Sequence, residues 1–402
     1  MGDSTRKSDK PRVLIVGAGI SGLVLAQSLR KQGGYAIGLY NPEGVLRDSL
    51  PGDVPPLETA NHLLPLPLKS QLIFHGLDGR MSIVEDTPET PCLRTNRQKL
   101  RELLSTNLNI QYGKTAARIV EGPDKVTVFF VDDTSATGDI VVGADGTYSA
   151  VRPHVLKKSN DEVLKTVPFA VISGAVQLSG EVMERQLQLG HSGWVAFGPD
   201  YSLFTGINRV NVDNHGKVGG DYYWLMLIPD IMVTNQERDH WVVTSTFQER
   251  LEIAKSKVQD LDKKFRAPIE LTTVEGMRAW PLWKDAEIPT LPPVDRVVLC
   301  GDAAHPIIPA RGEGAIHAIY DAVNLGKVLG SANRNDMAVL RATLYKYHKE
   351  IAARGNEASQ LARGALESAR AGKPPMAWGH ELRQLKELKP LPFKLADFEK
   401  KA

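Results

Sequence analysis

The stretch Arg12-Val-Leu-Ile-Val16-Gly17-Ala-Gly19-Ile20-Ser-Gly22 decides the fold. Beyond its first residue, Arg12–Val16 is a continuous apolar run, the pattern of a parallel strand covered on both faces. A helix is expected from about Ile20 to Gln32, closed by Gly33-Gly34 at its C-terminal end. Tyr35 to Tyr40 reads as a second strand, which completes a β-α-β unit. The glycine spacing suits a phosphate cradle. Gly17 permits the tight turn, Gly19 lets a pyrophosphate approach the backbone, and Gly22 lets helix and strand pack closely. Glycine turns also serve purely structural ends, so the motif gains weight from its strand–turn–helix setting.

A carboxylate for ribose hydroxyls belongs at the end of the second strand, about 20 residues further on. That place holds Asn41, with Glu43 two residues later. An amide cannot accept two hydroxyl protons as a carboxylate does, and Asn41 could equally cap the strand before Pro42.

Composition sets the outer limits. The chain has 402 residues, room for two or three domains and a large core. Apolar residues make up 42% and charged residues 24%, as in an ordinary soluble enzyme. The 49 basic and 47 acidic side chains leave a formal charge of +2, which gives no reason to expect nucleic acid or an anionic membrane as partner. Two cysteines, Cys92 and Cys300, cannot build a disulfide framework or a thiolate metal site, and read as reduced, buried thiols. No Asn-x-Ser/Thr acceptor occurs, the first ten residues are polar, and no apolar run is long enough to span a bilayer. A soluble cytoplasmic protein is expected.

Residues 42–67 carry many prolines and are not expected to form long regular elements. Arg97 to Asn107 reads as a helix, with Leu100, Leu103 and Leu104 on one face. Val126–Val131 and Asp139–Val142 read as strands. From Val167 to Trp241 the pattern turns to longer strands rich in Val, Phe, Tyr and Trp. Phe247, Leu251, Ala254, Val258 and Leu261 then mark an amphipathic helix. Arg296–Cys300 is another buried strand, followed by a glycine-rich turn and a helix from Gly314 to Leu329. Met337, Leu340, Leu344, Tyr347 and Ile351 mark a last packed helix, and the tail beyond Gly372 reads as irregular. The fold class is therefore α/β: a doubly wound domain, interrupted by a mainly antiparallel sheet domain and then resumed.

Two further signals follow in order. Gly143-Ala-Asp145-Gly146-Thr-Tyr-Ser149-Ala-Val-Arg152 comes directly after the strand at 139–142. Gly301-Asp302-Ala-Ala-His305-Pro306-Ile-Ile-Pro309-Ala-Arg311-Gly312-Glu313-Gly314 precedes a helix bearing Asp321-Ala322. With these three motifs the sequence resembles the single-component, FAD-dependent aromatic hydroxylases, the para-hydroxybenzoate hydroxylase-like monooxygenases. The Arg311–Gly314 wording is most similar to fungal members acting on secondary metabolites. The likeness covers roughly residues 11–41, 94–152 and 278–355.

The resemblance implies a Rossmann-like FAD-binding domain (11–75, 94–165 and 286–370) interleaved with a mainly antiparallel β-sheet substrate domain (76–93 and 166–285). A C-terminal helix and an irregular tail at 371–402 complete the chain. Asp302 would hydrogen-bond the ribityl chain of FAD, or alternatively cap the turn. Gly312 and Gly314 would present backbone N–H groups to the flavin, stabilising its negative charge when reduced. Arg97, with Leu100, stands in the R-x-x-L position that reaches toward the FAD phosphates; a solvated surface charge is the alternative. Asp145 and Gly146 would touch the cofactor region. His305, Pro309 and Arg311 are the candidate catalytic positions. Arg311 could steer substrate or flavin, or pair with Glu313 or Asp321. His305 could donate a proton or merely fix the loop, and beyond Asp302 no carboxylate or second histidine stands close to it in sequence.

FAD is the implied cofactor, with NADPH or NADH as a transient co-substrate, because only one nucleotide fingerprint is present. The implied activity is hydroxylation or epoxidation of an electron-rich, largely apolar small molecule with O2. A flavin-linked dehydrogenase or oxidase of the same fold, or a catalytically lapsed flavin-binding protein, are the alternatives. No metal site, nucleic-acid partner or obligate protein partner is expected. Trp194, Phe197, Tyr201, Phe204, Tyr222, Tyr223 and Trp224 are possible walls for an apolar substrate, although alternating aromatic strands pack sheets in any case.

Overall fold

Val13–Val16, Ile140–Gly143 and Val297–Leu299 pair in parallel in the computed structural model, with the second of them in the middle. All but the first are fully buried, which is why their sequences read as unbroken apolar runs. The structure describes residues 10–31, 42–235, 238–279, 282–288, 290–333, 335–370 and 383–399. The expected strand Tyr35–Tyr40 lies outside them.

The chain divides into two units, 1–55 with 101–165 and 284–362, and 56–100 with 166–283 and 363–402. In the first unit, helices Ile20–Lys31 and Gly314–Ser331 pack together beside the parallel sheet. A small antiparallel sheet of Ala116–Glu121, Val126–Phe130 and Ser135–Gly138 adjoins them. The helix Met337–Arg370 runs well past the apolar residues that announced it. His348 on that helix ties it to the sheet: Nδ1 donates to the Pro292 carbonyl at 3.0 Å, and Nε2 accepts from Leu299 N–H at 3.2 Å.

The second unit is built on an eight-stranded sheet. Phe169–Ser179, Ser202–Val212 and Val218–Pro229 form its long antiparallel centre. Gly193–Phe197 pairs antiparallel with Ser202–Phe204 and their neighbours on one side, and in parallel with Gln71–His75 on the other. Along Val218–Pro229 burial alternates strictly, so Trp224, Met226 and Ile228 face a core completed by Leu251, Ala254, Val258 and Ile269, while Tyr222 joins a second cluster with Met183, Leu187 and Ile207. The opposite face carries Tyr223, Leu225 and Leu227, each half-buried.

Four expectations differ from the structure. Residues 56–75 and 94–100 belong to the sheet unit, because Gln71–His75 finds its partner at Gly193–Ala196 and draws its flanks with it. Pro42–Ser49 is an eight-residue helix: its proline sits in the first turn, where a missing N–H costs nothing. A helix, Gly180–Leu189, interrupts the strand-rich region and buries Met183, Gln186, Leu187 and Leu189. In the tail, Arg383–Leu385 pairs antiparallel with Met81–Ile83, and Ala396–Glu399 is a helical turn. Of the cysteines, Cys300 is buried and Cys92 is half-buried.

Candidate functional site

The fingerprint turn shows why its spacing is strict. Gly17 has φ +116°, and a Cβ on Gly22 would stand 2.0 Å from the Gly17 carbonyl oxygen, so helix and turn touch backbone to backbone. Gly19, by contrast, faces open space, with nothing within 4 Å of a Cβ placed there. The second motif begins beside it, where Ala144 N–H donates to the Val16 carbonyl at 2.8 Å. Arg97 opens the helix Arg97–Leu104, which Asn96 caps by accepting from Lys99 N–H, and Arg97 is exposed. One turn later, Arg101 donates through Nε to the Ala18 carbonyl at 3.2 Å. Sequence reading passed over Arg101, although its i+4 spacing from Arg97 puts both on one helix face.

Asp145 turns into its own loop. Its carboxylate accepts from Ser149 Oγ at 2.5 Å and from Ala150 N–H at 2.7 Å. Gly146 follows with φ +81°. Arg152, completely buried, joins this loop to the third motif. Its Nε donates to the Ala303 carbonyl, its Nη1 to the Thr147 carbonyl and Asn160 Oδ1, and its Nη2 to the Asp302 carbonyl, at 2.7–2.8 Å. Burial lowers its pKa to about 10, so it stays charged at neutral pH. Arg152 ended a motif in the sequence, but only the fold shows what it holds.

Asp302 sits on the Gly301–Ala303 turn, and burial raises its pKa. Its Oδ1 lies 3.9 Å from where a Cβ on Gly314 would stand, so the two candidate cofactor contacts converge. Behind them, His305 is buried and its Nε2 meets Asp321 Oδ2 at 2.6 Å. Burial opposes the imidazolium, but Asp321 outweighs it and raises the His305 pKa. Asp321 also accepts from Gly301 N–H at 2.7 Å and from Arg354. Arg354 Nη1 in turn donates to His317 Nδ1 at 3.1 Å. Thus His305 does have a carboxylate and a second histidine beside it. Both arrive from the helix Gly314–Ser331, more than ten residues on, where sequence proximity could not show them.

Pro309 is exposed and starts the 3-10 turn Pro309–Arg311, which ends at Gly312 in the left-handed region, φ 68°. Arg311 and Glu313 form a bidentate pair, with both contacts at 2.8 Å. Asp321, the alternative partner for Arg311, is engaged by His305 and Arg354. The helix start at Gly314 has no side-chain cap. Among the described residues no cluster of His, Cys, Asp and Glu could hold a metal ion, and no helix is long and apolar enough to cross a membrane.

A family described as an FAD binding domain matches residues 77–362. The chain is 38% identical over 391 residues to the FAD-dependent monooxygenase thnD of Trichoderma harzianum, covering 91% of this chain and 96% of that one. The chain belongs to the FAD-dependent monooxygenases. A second similar protein, the FAD-dependent monooxygenase cctM of Talaromyces islandicus, is 26% identical and covers 87% of this monooxygenase and 91% of its own length. Among solved structures, HpxO of Klebsiella pneumoniae complexed with FAD and uric acid shares the fold, with a TM-score of 0.64 and 20% identity, over 89% of this chain and 91% of that one.

The site of this monooxygenase suits FAD. The open face of Gly19, the uncapped helix start at Gly314 and the nearby Asp302 carboxylate offer donors and an acceptor with room beside them. The structure brings Gly17, Gly19, Gly22, Asp145, Gly146, Asp302, His305, Pro309, Arg311, Gly312 and Gly314 into one unit. Asn41 and the Glu43 side chain lie outside the described residues.

Proposed function

We propose that this monooxygenase uses NADPH or NADH and O2 to hydroxylate or epoxidise an electron-rich, largely apolar small molecule of the fungal secondary-metabolite kind. The observation that carries the substrate class is the half-buried face of the large sheet. There Val195, Phe204, Tyr223, Leu225 and Leu227 stand side by side on neighbouring strands, with the Phe204 and Tyr223 rings 5.5 Å apart. Trp194, Tyr201, Tyr222 and Trp224, by contrast, are ordinary core. Toward one end of the face Arg209 pairs with Asp221 at 2.6 Å. The similarity to fungal FAD-dependent monooxygenases supports the same reading.

In this reading the bound FAD, once reduced, supplies the activated oxygen. The chain's own residues bind and orient. The N–H groups at the start of Ile20–Lys31 face the phosphates across Gly19, and Arg101 fixes the Ala18 carbonyl of that turn. Asp302 accepts from the ribityl hydroxyls. The helix start at Gly314 offers N–H groups to the pyrimidine edge, stabilising negative charge there. His305, with its Nε2 committed to Asp321, holds the loop.

The test is incubation with NADPH or NADH and a panel of phenols and apolar polycyclic aromatics, following oxygen uptake and product mass. A gain of one oxygen atom, coupled to nucleotide oxidation, supports the proposal. Loss of two hydrogens without added oxygen would overturn it.

A further inference from the structure

Glu313 immediately precedes the 18-residue helix Gly314–Ser331. The helix start attracts a nearby carboxylate, because its N–H groups lack partners and the dipole is positive there. Here it makes no cap. Both Glu313 oxygens go to Arg311 instead: Nε meets Oε2 and Nη2 meets Oε1, each at 2.8 Å. The two side chains are only 10% and 11% exposed, so this is a buried, planar fork rather than a loose surface pair. The left-handed turn at Gly312 is what lets residues two apart face one another. Beside them, Gly314 opens toward Asp302, so the uncapped N–H groups border the space that the cofactor contacts share.

We propose that Arg311 is a positioning residue: it holds the Glu313 carboxylate off the start of the Gly314–Ser331 helix and cancels its charge there. The inference rests on the reading that this loop faces the flavin. Without Arg311, Glu313 competes with the flavin for the same N–H donors and repels the negative charge that the ring gains on reduction. With Arg311, the helix start stays available and the loop is electrically neutral. Arg311 thereby acts through Glu313.

The experiment uses the holoprotein and five variants: Arg311→Gln, Arg311→Lys, Glu313→Gln, the double replacement of Arg311 and Glu313 by Gln, and Gly314→Val. Two quantities are read, the equilibrium between oxidised and reduced flavin against a reference dye during slow anaerobic reduction, and FAD retention on dilution. Arg311→Gln leaves Glu313 without this partner and shifts the equilibrium away from reduced flavin by at least about fivefold, the effect of one uncompensated charge in a buried site. Glu313→Gln removes the charge that offsets Arg311 and shifts it the opposite way by a similar factor. The double replacement returns to within about twofold of the parent. Arg311→Lys, which keeps the charge and loses the fork, falls between parent and Arg311→Gln, and it carries the test with Glu313→Gln if Arg311→Gln fails to fold. Shifts of the same sign in the two single variants, or a double replacement that behaves like Arg311→Gln, overturn the inference while the loop's place at the flavin stands. If Gly314→Val changes neither quantity, the loop does not face the flavin, and reading and inference fall together.

Discussion

Arg152 and Asp302 lie 150 residues apart in sequence, yet Nη2 of the first donates to the backbone carbonyl of the second at 2.7 Å. Through the same guanidinium, Thr147 and Ala303 are joined as well. Two loops that a flavin would contact are therefore one mechanical piece, with a single buried cation at its centre.

Arg152→Lys keeps a charge but offers three donors where the fork offers five in fixed directions. We expect FAD retention to weaken at least about tenfold and the melting temperature to fall, with excess FAD recovering part of that loss. The checks are FAD titration of stripped protein and a thermal melt with and without added FAD. Unchanged retention would show that the link between the loops does not matter to the cofactor.

Buried neutral histidines set the acid side of stability. Burial lowers the pKa of His62, His75 and His348 to about 4. Unfolding at pH 5 therefore takes up nearly one proton at each, and stability is lost as pH falls from about 6.5 toward 4, at about 1.4 kcal/mol per pH unit for each proton. His305 acts in the other direction. Its raised pKa contributes stability that is complete below the unfolded value and fades as pH rises through the folded one. Denaturant melts at pH 7, 6, 5 and 4.5 should show a loss that steepens below 6.5. A flat profile across that range would contradict the burial of these rings.

In the sheet unit, a Cβ on Gly174 would stand 2.6 Å from the Trp224 ring, whose Nε1 donates to Thr272 Oγ1 at 2.9 Å. Gly174→Ala should destabilise by about 1–3 kcal/mol, because that ring is fully buried and cannot retreat. The measurement is the denaturant midpoint, and near-UV dichroism should report the disturbed indole.

Asn41 stands where a carboxylate is expected for the ribose hydroxyls. Bonds to a charged group exceed neutral ones by on the order of 1 kcal/mol, so Asn41→Glu should tighten FAD binding roughly fivefold, while Glu43→Gln changes it little. FAD titration of both stripped variants decides the matter. The reverse pattern would make Glu43 the ribose ligand.

Much of this molecule was legible in its residues because the forces concerned are local. The strand–turn–helix at Arg12–Lys31 follows from apolar runs, a glycine close approach and helical spacing, all within a dozen neighbours. The helix Phe247–Lys257 appears where its apolar positions recur. The three cofactor motifs could be quoted in order, since each is a short segment whose backbone conformation its own glycines dictate.

What only the tertiary structure decided is which distant groups meet. Asp321 takes His305, Gly301 and Arg354 and leaves Arg311 to Glu313. Arg101 rather than Arg97 touches the fingerprint turn. Gln71–His75 joins a strand 121 residues away, and Arg383–Leu385 pairs with Met81–Ile83 at the sheet's far edge. No periodicity encodes such choices. A charged or edge-strand group has many chemically equivalent partners along a chain, and packing of the apolar faces selects the one that stays within reach once water is excluded.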